Sequence, residues 1–310
     1  MRASELVLYI DRAVVVLNKP PGFVSQLSHG NDLHRGLEEI KDRFRLRSAP
    51  LPIHRLDKDT TGCLVFARTH NAAKQLSTQF QQNEVQKTYL ALVRGGRQSF
   101  AQTSGIIREP LLQKDGRVSV AKLGHPDAQN SVTEWSLVAS SPSLPLSLLQ
   151  LRLHTGHKHQ LRVHLSQVLK SRLPRLLDVC NVPLTHLLAP ILGDSVHSIS
   201  PPTEQIQRAL SRLRPKPERE RMFLHAAQLS FFRYRPSGGN RRFRLLVGAP
   251  LPDDFHQLLK EARIPLSKPL LQGGLYQRDK EAMEYEQVPN GIIDSVEGRW
   301  MPDESYTAPY

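Results

Sequence analysis

The sequence predicts an α+β fold, in which a long, mixed and mostly antiparallel sheet is flanked by a few helices. Short alternating or apolar runs bounded by Gly, Pro, Asp or Asn dominate the middle of the chain, and such runs are typical of strands. Few segments place apolar residues at the three- and four-residue spacing of a helix. This combination favours an α+β arrangement.

Taken in order, the chain divides into strands, helices and turns that this fold requires. Residues 6–17 are predicted to form a strand, followed by a helix at 33–46, a buried strand at 63–67, an amphipathic helix at 71–82 and a strand at 87–93. Further strands are predicted at 105–111, 118–123, 131–139, 148–154, 228–234 and 242–247, with a helix beginning near residue 159 and a short one at 203–213.

These elements predict one catalytic domain over residues 1–270. A helical or irregular insertion is expected at about 166–217, where the order of the pattern loosens and Ser, Pro and Arg become frequent. From residue 271 to 310 the chain is acidic, has no clear period and is predicted to be an extension or partly disordered.

Charge is distributed unevenly along the chain. The 42 basic and 29 acidic side chains give a net charge of +13, with a pI near 10. Residues 271–310 carry three basic and eight acidic side chains, so the preceding 270 residues carry +18. A surplus of this size favours a polyanionic partner such as nucleic acid, although basic surfaces also occur in organellar proteins and in proteins that bind anionic surfaces.

Cysteine content and hydropathy limit the compartment. The only cysteines, Cys63 and Cys180, lie far apart and predict a reducing environment rather than a disulfide framework. No apolar run approaches the length of a membrane span, so no membrane partner is expected. The N-terminal residues give little evidence of targeting, and a short or internal organellar signal remains compatible with them.

The densest group of reactive side chains is the stretch 54–62, His-Arg-Leu-Asp-Lys-Asp-Thr-Thr-Gly, which leads directly into the apolar run 63–67. A charged loop anchored to a buried strand holds its side chains in fixed positions, as a catalytic group requires. A solvated turn is the alternative interpretation of the same residues. Of its two carboxylates, Asp57 is the candidate catalyst and Asp59 is expected to be structural.

A second dense stretch, residues 151–165, contains His154, His157, His159 and His164. Zinc binding is one hypothesis, but neither cysteine nor a carboxylate lies nearby, so no metal site is predicted. A basic helix N-terminus that follows Gly156 is better suited to phosphate contact.

Six blocks of sequence, in order, resemble the motif series of the RluA family of pseudouridine synthases. They are Asn-Lys-Pro-Pro-Gly at 18–22, His-Arg-Leu-Asp with Thr-Thr-Gly at 54–62, Lys-Thr-Tyr-Leu-Ala at 87–91, the stretch 155–165, Pro-Ile-Leu-Gly-Asp at 190–194 and Phe-Leu-His-Ala at 223–226. The resemblance covers about residues 9–255. It implies a mixed sheet crossed by an RNA-binding cleft.

The resemblance also implies roles for individual residues. Asp57 would be the catalytic aspartate, Tyr89 the aromatic side chain that packs on the target base and Arg162 the basic partner of Asp57. Arg55 would help to displace the target nucleotide from its stack. RNA contacts are further expected from Lys19, Lys87, His157, Lys158 and His159, although the two lysines are equally compatible with generic surface charge.

Three features depart from the usual family pattern. His157 stands where the family usually has arginine, and Lys158 would restore the charge without a bidentate contact. About twenty extra residues separate Leu165 from Pro190, and no S4-type RNA-binding domain is expected. Together with the C-terminal tail, these features most resemble fungal mitochondrial members that act on large-subunit ribosomal RNA.

The implied reaction converts uridine to pseudouridine without redox change, so neither a cofactor nor a bound nucleotide is expected. The predicted protein is therefore an isomerase that acts on structured RNA, with ribosomal RNA favoured over transfer RNA, and a monomeric state is expected. Mitochondrial localisation is predicted, with the cytoplasm or nucleus as alternatives. The alternative function, kept open by His157 and the insertion, is a catalytically silent RNA-binding or ribosome-assembly factor.

Overall fold

A computed structural model of the chain describes residues 3–25, 32–100, 102–169, 189–198, 201–213, 221–237, 241–279 and 282–302. Cys180, about half of the predicted insertion and the last eight residues lie outside this part of the chain. The described helices are α1 Asp32–Arg43, α2 His70–Gln81, α3 Gln160–Val163, α4 Glu204–Ser211, α5 Asp253–Glu261 and α6 Lys268–Gln272, and a π-helical turn, His164–Val168, follows α3.

Most of the predicted strands are present among the described ones, in the same order along the chain. They are β1 Val7–Ile10, β2 Val14–Lys19, β3 Leu51–Pro52, β4 Thr61–Ala67, β5 Gln86–Arg94, β6 Ser104–Ile107, β7 Leu111–Lys114, β8 Arg117–Val120, β9 Thr133–Ser140, β10 Leu146–Leu153, β11 Leu224–Tyr234, β12 Arg242–Gly248, β13 Gly274–Asp279, β14 Glu286–Gln287, β15 Ile292–Ile293 and β16 Gly298–Trp300. The α+β fold class is confirmed. Of the helices described, none is both long and apolar enough to cross a bilayer.

The chain forms two compact units. The first comprises Met1–Lys87, Ala226–Leu251 and Lys268–Tyr310. Its sheet has the strand order β15-β16-β1-β2-β4-β11-β12-β13-β14, with β3 added beside β4. The core packs side chains of both the early strands and the C-terminal ones, including Val16, Val65, Phe231, Leu245 and Leu275.

Helix α2 packs its apolar side against this core. The Thr69 hydroxyl caps the helix by accepting a hydrogen bond from Ala72 N at 3.2 Å, which satisfies one of the free N–H groups of the first turn. Ala72 and Leu76, four residues apart, are buried in the core of the unit. The helix predicted at 71–82 is therefore confirmed by both its periodicity and its cap.

The predicted strand at 6–17 is two strands, β1 and β2, which pair as an antiparallel hairpin. Asp11 makes the turn, because its Oδ1 accepts hydrogen bonds from Ala13 N at 2.7 Å and Val14 N at 2.8 Å. The same carboxylate accepts hydrogen bonds from Tyr9 and Arg233, both buried. Because the residues on both sides of this turn are apolar, the hydropathy pattern indicates one strand and does not show the turn.

The segment from residue 271 onwards, expected to be an acidic extension or partly disordered, contains strands in its described residues. Strand β13 pairs with β12, and β16 pairs with β1, so this segment lies at both edges of the first unit's sheet. Leu275, Val288 and Ile293 are buried in the core of the unit. Strands of two or three residues carry too few side chains to show a period.

The second unit comprises Thr88–His225 and Pro252–Ser267. Strands β5, β10, β9 and β6 pair in that order, all antiparallel, and β7 and β8 form a separate hairpin. The predicted strand at 105–111 is thus divided between β6 and β7. Val163 of α3 packs with Leu111 and Val118 of the hairpin, which fixes the helix against it.

Candidate active site

The Asp57 turn, residues 54–60, connects β3 to β4 in the first unit. The two strands pair antiparallel, so both ends of the turn are fixed by a sheet. Thr60 N donates a hydrogen bond to Asp57 O at 3.1 Å and closes the turn locally. Asp57 is partly buried and Arg55 is exposed. The turn therefore holds the carboxylate at the surface of a rigid element while its neighbouring arginine remains accessible.

The Lys19 side chain is hydrogen-bonded to the Asp57 turn. Its side chain is 1% exposed, and Nζ donates hydrogen bonds to Pro20 O and Phe23 O, both at 2.9 Å, and to Lys58 O at 2.7 Å. An ammonium group enclosed in this way is oriented toward main-chain carbonyls rather than solvent. The side chain positions the residue that follows Asp57, and a contact of Lys19 with RNA phosphate stays a prediction.

Two further contacts restrict the turn. Leu56 N donates to Ser25 Oγ at 3.0 Å, and the hydroxyl in turn donates to Leu56 O. Gly62 has a φ of +105°, and a Cβ at this position would collide with the carbonyl of Ala226 on β11. Only glycine allows this close approach of the two backbones. The turn is thus fixed immediately before Asp57 and again at the start of β4.

A partly buried histidine supports the turn at its first residue. His54 Nε2 accepts a hydrogen bond from Val65 N at 3.0 Å, and the ring stacks on Phe80 with centroids 4.8 Å apart. Burial, and then the positive charge of Lys87, lower the pKa of His54 to about 3. The ring is therefore neutral at physiological pH, as its role as acceptor requires.

Lys87 lies partly buried at the start of β5. Burial lowers the pKa of this amine to about 8, so a fraction of it is uncharged near neutral pH. It is the charge that acts on His54. An RNA contact by Lys87 stays a prediction.

In the second unit, Tyr89 lies on β5 opposite Leu151 of β10 and is 8% exposed. Pairing with β10 therefore fixes the backbone at Tyr89. Packing of Tyr89 on a target base stays a prediction.

Arg162 is held by a carboxylate that sequence reasoning missed. Its Nε donates to Asp194 Oδ2 at 2.8 Å and its Nη2 to Asp194 Oδ1 at 2.6 Å, a bidentate pair. The two side chains are 9% and 1% exposed. Val196 N and His197 N also donate to Oδ1, each at 3.0 Å.

The electrostatics of this pair favour the ionised state. Burial raises the pKa of Asp194, but the hydrogen bonds and charge of Arg162, followed by the backbone N–H of His197, outweigh it, and the pKa lies below its ordinary value. Gly193 precedes this carboxylate with a φ of +79°, and a Cβ at this position would also collide with Arg221 O, so the position requires glycine. The Gly-Asp pair of the fifth resemblance block is the signal that could have identified Asp194. Pairing of Arg162 with Asp57 stays a prediction.

Gln160 organises the turn before α3. Its Oε1 accepts hydrogen bonds from Thr155 Oγ1 at 2.9 Å and His157 N at 3.1 Å, while its Nε2 donates to Val132 O at 3.1 Å and Thr133 Oγ1 at 3.0 Å. All its polar atoms are thus used to connect the turn to β9. This network places the next residues of α3, including Arg162, at a fixed position.

The four histidines of this region have separate hydrogen-bond partners. His154 contacts Glu134 at 3.2 Å, His157 contacts Asn130 O at 2.8 Å, His159 contacts His197 at 3.0 Å, and His164 contacts Thr133 at 2.9 Å and Glu109 O at 3.0 Å. Across the described ranges, no three His, Cys, Asp or Glu side chains are arranged to hold a metal ion.

The predicted RNA contacts near α3 are all partly buried. Lys158 Nζ donates to Gly116 O at 2.9 Å and so connects the helix to the turn between β7 and β8. His159 adopts a left-handed conformation, with φ 53° and ψ 17°, directly before α3. RNA binding by His157, Lys158 and His159 stays a prediction.

Comparison with known proteins identifies the family. Residues 13–167, half of the chain, match the RNA pseudouridylate synthase family. The chain belongs to this family. Its members are isomerases that act on RNA, and the matched region contains the Asp57 turn, Tyr89 and Arg162.

Relatives of this pseudouridine synthase differ in their named substrates. The mitochondrial pseudouridylate synthase RPUSD4 of Xenopus tropicalis is 29% identical over 82% of this chain and 79% of its own length. Ribosomal large subunit pseudouridine synthase D of Nitrosomonas europaea is 32% identical over 83% of this chain and 65% of its own. The tRNA pseudouridine synthase C of Pectobacterium carotovorum is 29% identical, over 62% and 47%.

A solved structure supports the fold assignment. Human RNA pseudouridylate synthase domain containing 4 has a TM-score of 0.62 and 25% sequence identity, and the similarity covers 86% of this chain and 97% of that one. The pseudouridine synthase fold implied by the sequence motifs is therefore confirmed.

Proposed function

We propose that this pseudouridine synthase uses Asp57 as its catalytic carboxylate, with Tyr89 beneath the target base and Arg162 as the basic partner. The observation that carries this assignment is the anchoring of the Asp57 turn by the buried Lys19 ammonium, which donates to Lys58 O, one residue beyond Asp57. A catalytic group must be held close to its productive geometry by residues that are themselves fixed.

The reaction breaks the N1–C1′ glycosidic bond of uridine and forms a C5–C1′ bond; the hydrogen at C5 is released as a proton and N1 takes up a proton. An ionised carboxylate can add to the base, attack the anomeric carbon or remove the 2′ proton to give a glycal. All three routes require one positioned carboxylate and no electron acceptor. Asp57 supplies this group.

The role proposed for Arg162 is to supply a positive charge to the reaction. Asp194 fixes the guanidinium through Nε and Nη2, so Arg162 is a preorganised charge rather than a mobile one. Tyr89 provides an aromatic surface for the extruded uracil, and such stacking contributes about 1–3 kcal/mol per base.

The RNA contacts that take no part in the reaction come from exposed or partly exposed cationic side chains. Arg55 is exposed beside Asp57, where it can occupy the position that the flipped nucleotide leaves in the stack. Lys87, His157, Lys158 and His159 contribute contacts to the phosphate backbone. The +18 charge of residues 1–270 supports binding through phosphates.

The substrate we propose is mitochondrial large-subunit ribosomal RNA. The names of the Xenopus and Nitrosomonas relatives support the compartment and the RNA, respectively. The prediction of a protein most like the fungal mitochondrial members is part of this proposal, as is a monomeric state. The Pectobacterium relative favours transfer RNA as the second candidate substrate.

Mapping of pseudouridine in cells that lack this protein tests the proposal. We expect one uridine of mitochondrial large-subunit ribosomal RNA to remain unmodified, and re-expression of the wild-type chain, but not of Asp57→Asn, to restore the pseudouridine. Loss of a transfer RNA pseudouridine would instead support the second candidate. Loss in cytoplasmic or nuclear RNA alone would contradict the mitochondrial assignment.

A further inference from the structure

Strands β11, β12 and β13 of the first unit present aromatic and arginine side chains on one face. Along each strand, alternate residues such as Phe231, Leu245 and Leu275 are buried in the core. The residues that alternate with these core residues along each strand point to the opposite face of the sheet. These are Phe232, Tyr234, Arg242, Arg244, Tyr276 and Arg278, here called the arginine–aromatic face.

Two arginines of this face stack on one aromatic ring. The Arg242 Cζ lies 3.5 Å from the centroid of the Phe232 ring, and the Arg244 Cζ lies 4.0 Å from it. Arg278 lies over the Tyr285 ring, with its Cζ 5.0 Å from the centroid. Stacking holds the guanidinium groups in defined orientations.

The positive charges of the face are only partly neutralised. Glu84 Oε1 accepts a hydrogen bond from Arg242 Nη2 at 2.8 Å. Arg244 donates to neutral acceptors, the carbonyl of Glu84 at 3.0 Å and Ser230 Oγ at 3.5 Å, and Arg278 donates to a carbonyl at 3.3 Å.

Arg244 and Arg278 are also direct cross-strand partners. Like charges placed opposite each other destabilise a sheet, so this pair disfavours folding and favours an anion. Tyr234 is 46% exposed at the end of the same face. An exposed aromatic side chain on the same face as Arg244 and Arg278, which donate hydrogen bonds to uncharged acceptors, fits a ligand that has both flat rings and negative charge.

We propose that the arginine–aromatic face is a second RNA-binding surface of the enzyme, which binds an unpaired segment of the substrate RNA. Single-stranded RNA combines bases that stack on aromatic and guanidinium planes with a phosphate for each nucleotide. An acidic polypeptide would satisfy the charges but would leave Tyr234 and Tyr276 unused. The inference rests on the activity of the family on RNA and concerns residues outside the Asp57 turn.

Binding of a fluorescein-labelled oligocytidylate of about 12 nucleotides tests the proposal, since single-strand platforms bind segments of this size. The oligonucleotide contains no uridine and is therefore not a substrate. We expect the double variant Arg244→Gln/Arg278→Gln to bind it about tenfold more weakly and to lower the slope of log K against log salt by roughly 1.4, because each lost single-strand contact removes about 0.7.

The control double variant Arg43→Gln/Lys268→Gln removes the same charge from two exposed positions of the first unit. It is expected to bind the oligocytidylate as the wild type does. An equal loss of affinity in the two double variants would show a general charge effect and overturn the proposal. So would unchanged affinity in Arg244→Gln/Arg278→Gln.

Tyr234→Ala separates binding from stability, because this exposed side chain contributes little to the core. We expect an affinity loss of about fivefold or more, as for other stacked bases, with an unchanged melting temperature. Unchanged affinity would overturn the stacking role.

Catalysis distinguishes this inference from the assignment of Asp57. Asp57→Asn should bind oligocytidylate normally. Tyr234→Ala should retain kcat on a short stem-loop that contains the target uridine and should raise KM only on the long RNA with its flanking single strand. A loss of kcat on the stem-loop would place the face in the catalytic machinery and contradict the proposal.

Discussion

Replacement of Lys19 by methionine tests the assignment of a buried ammonium as the support of the Asp57 turn. Methionine keeps the length of the side chain but removes three hydrogen bonds to main-chain carbonyls. Each hydrogen bond to a charged group contributes about 1.5–3 kcal/mol, which gives an upper bound of roughly 5–9 kcal/mol. Loss of the ammonium also removes its desolvation cost, which is several kcal/mol.

The net loss of folding free energy expected for Lys19→Met is therefore about 2–4 kcal/mol, measured by urea denaturation. The turn loses its contact at Lys58 O, and a displacement of the carboxylate by about 1 Å would lower kcat about 100-fold. Tritium release from RNA labelled at C5 of uridine measures this rate. Because Lys19 is enclosed, the dependence of RNA affinity on salt should not change.

Lys58→Gln is the matched control, since it removes an equal charge from an exposed side chain and keeps the carbonyl that Lys19 binds. We expect its stability and kcat to stay close to those of the wild type. The reasoning would be refuted if Lys19→Met kept its stability and kcat but lowered the salt slope by about 0.7–0.9, the value for one lost phosphate contact.

Three other predictions concern groups that fix the site. Asp194→Asn leaves the buried Arg162 uncompensated and should destabilise the protein by about 3–5 kcal/mol in urea denaturation; a change of less than about 1 kcal/mol would show that the pair is dispensable. The pKa of His54 is about 3 in the folded protein and near 6.5 when unfolded, so the unfolded chain binds more protons between these values and stability should fall as pH decreases from 6.5 toward 3. His54→Asn should flatten this dependence in urea denaturation at several pH values, and an equal slope in the variant would contradict it. Gly62→Ala, which forces a Cβ onto Ala226 O at a positive φ, should cost about 2–5 kcal/mol, measured as a lower melting temperature; an unchanged melting temperature would refute the steric argument.

Much of the fold could be predicted because local pattern and tertiary structure agree. The helices α1 and α2 show their period within the sequence, and the strands β4, β5, β10 and β12 are visible there as apolar or alternating runs. The division of residues 6–17 into two strands could have been found from Asp11, a turn residue between two apolar runs. The short C-terminal strands depend on pairing with residues far away in sequence, such as β16 with β1.

The candidate site was predictable in its residue types but less so in their roles. The motifs identified Asp57 and Arg162 as candidates, and the charge pattern favoured RNA. Neither could show that Lys19 is enclosed by three carbonyls, because its burial depends on segments as far apart as Phe23 and Lys58. The Gly-Asp pair at 193–194 was a signal for Asp194, but the sequence alone does not show that this carboxylate is buried against Arg162.

The most direct test of the central claim is tritium release by Asp57→Asn. Formation of the C5–C1′ bond displaces the hydrogen at C5, so every isomerised uridine releases one tritium from RNA labelled at this position. We predict release by the wild type and by Asp59→Asn, whose carboxylate lies two residues away, and none by Asp57→Asn, which should still bind RNA and keep its melting temperature. Release by Asp57→Asn at a rate comparable to the wild type would contradict the assignment of Asp57 as the catalytic carboxylate.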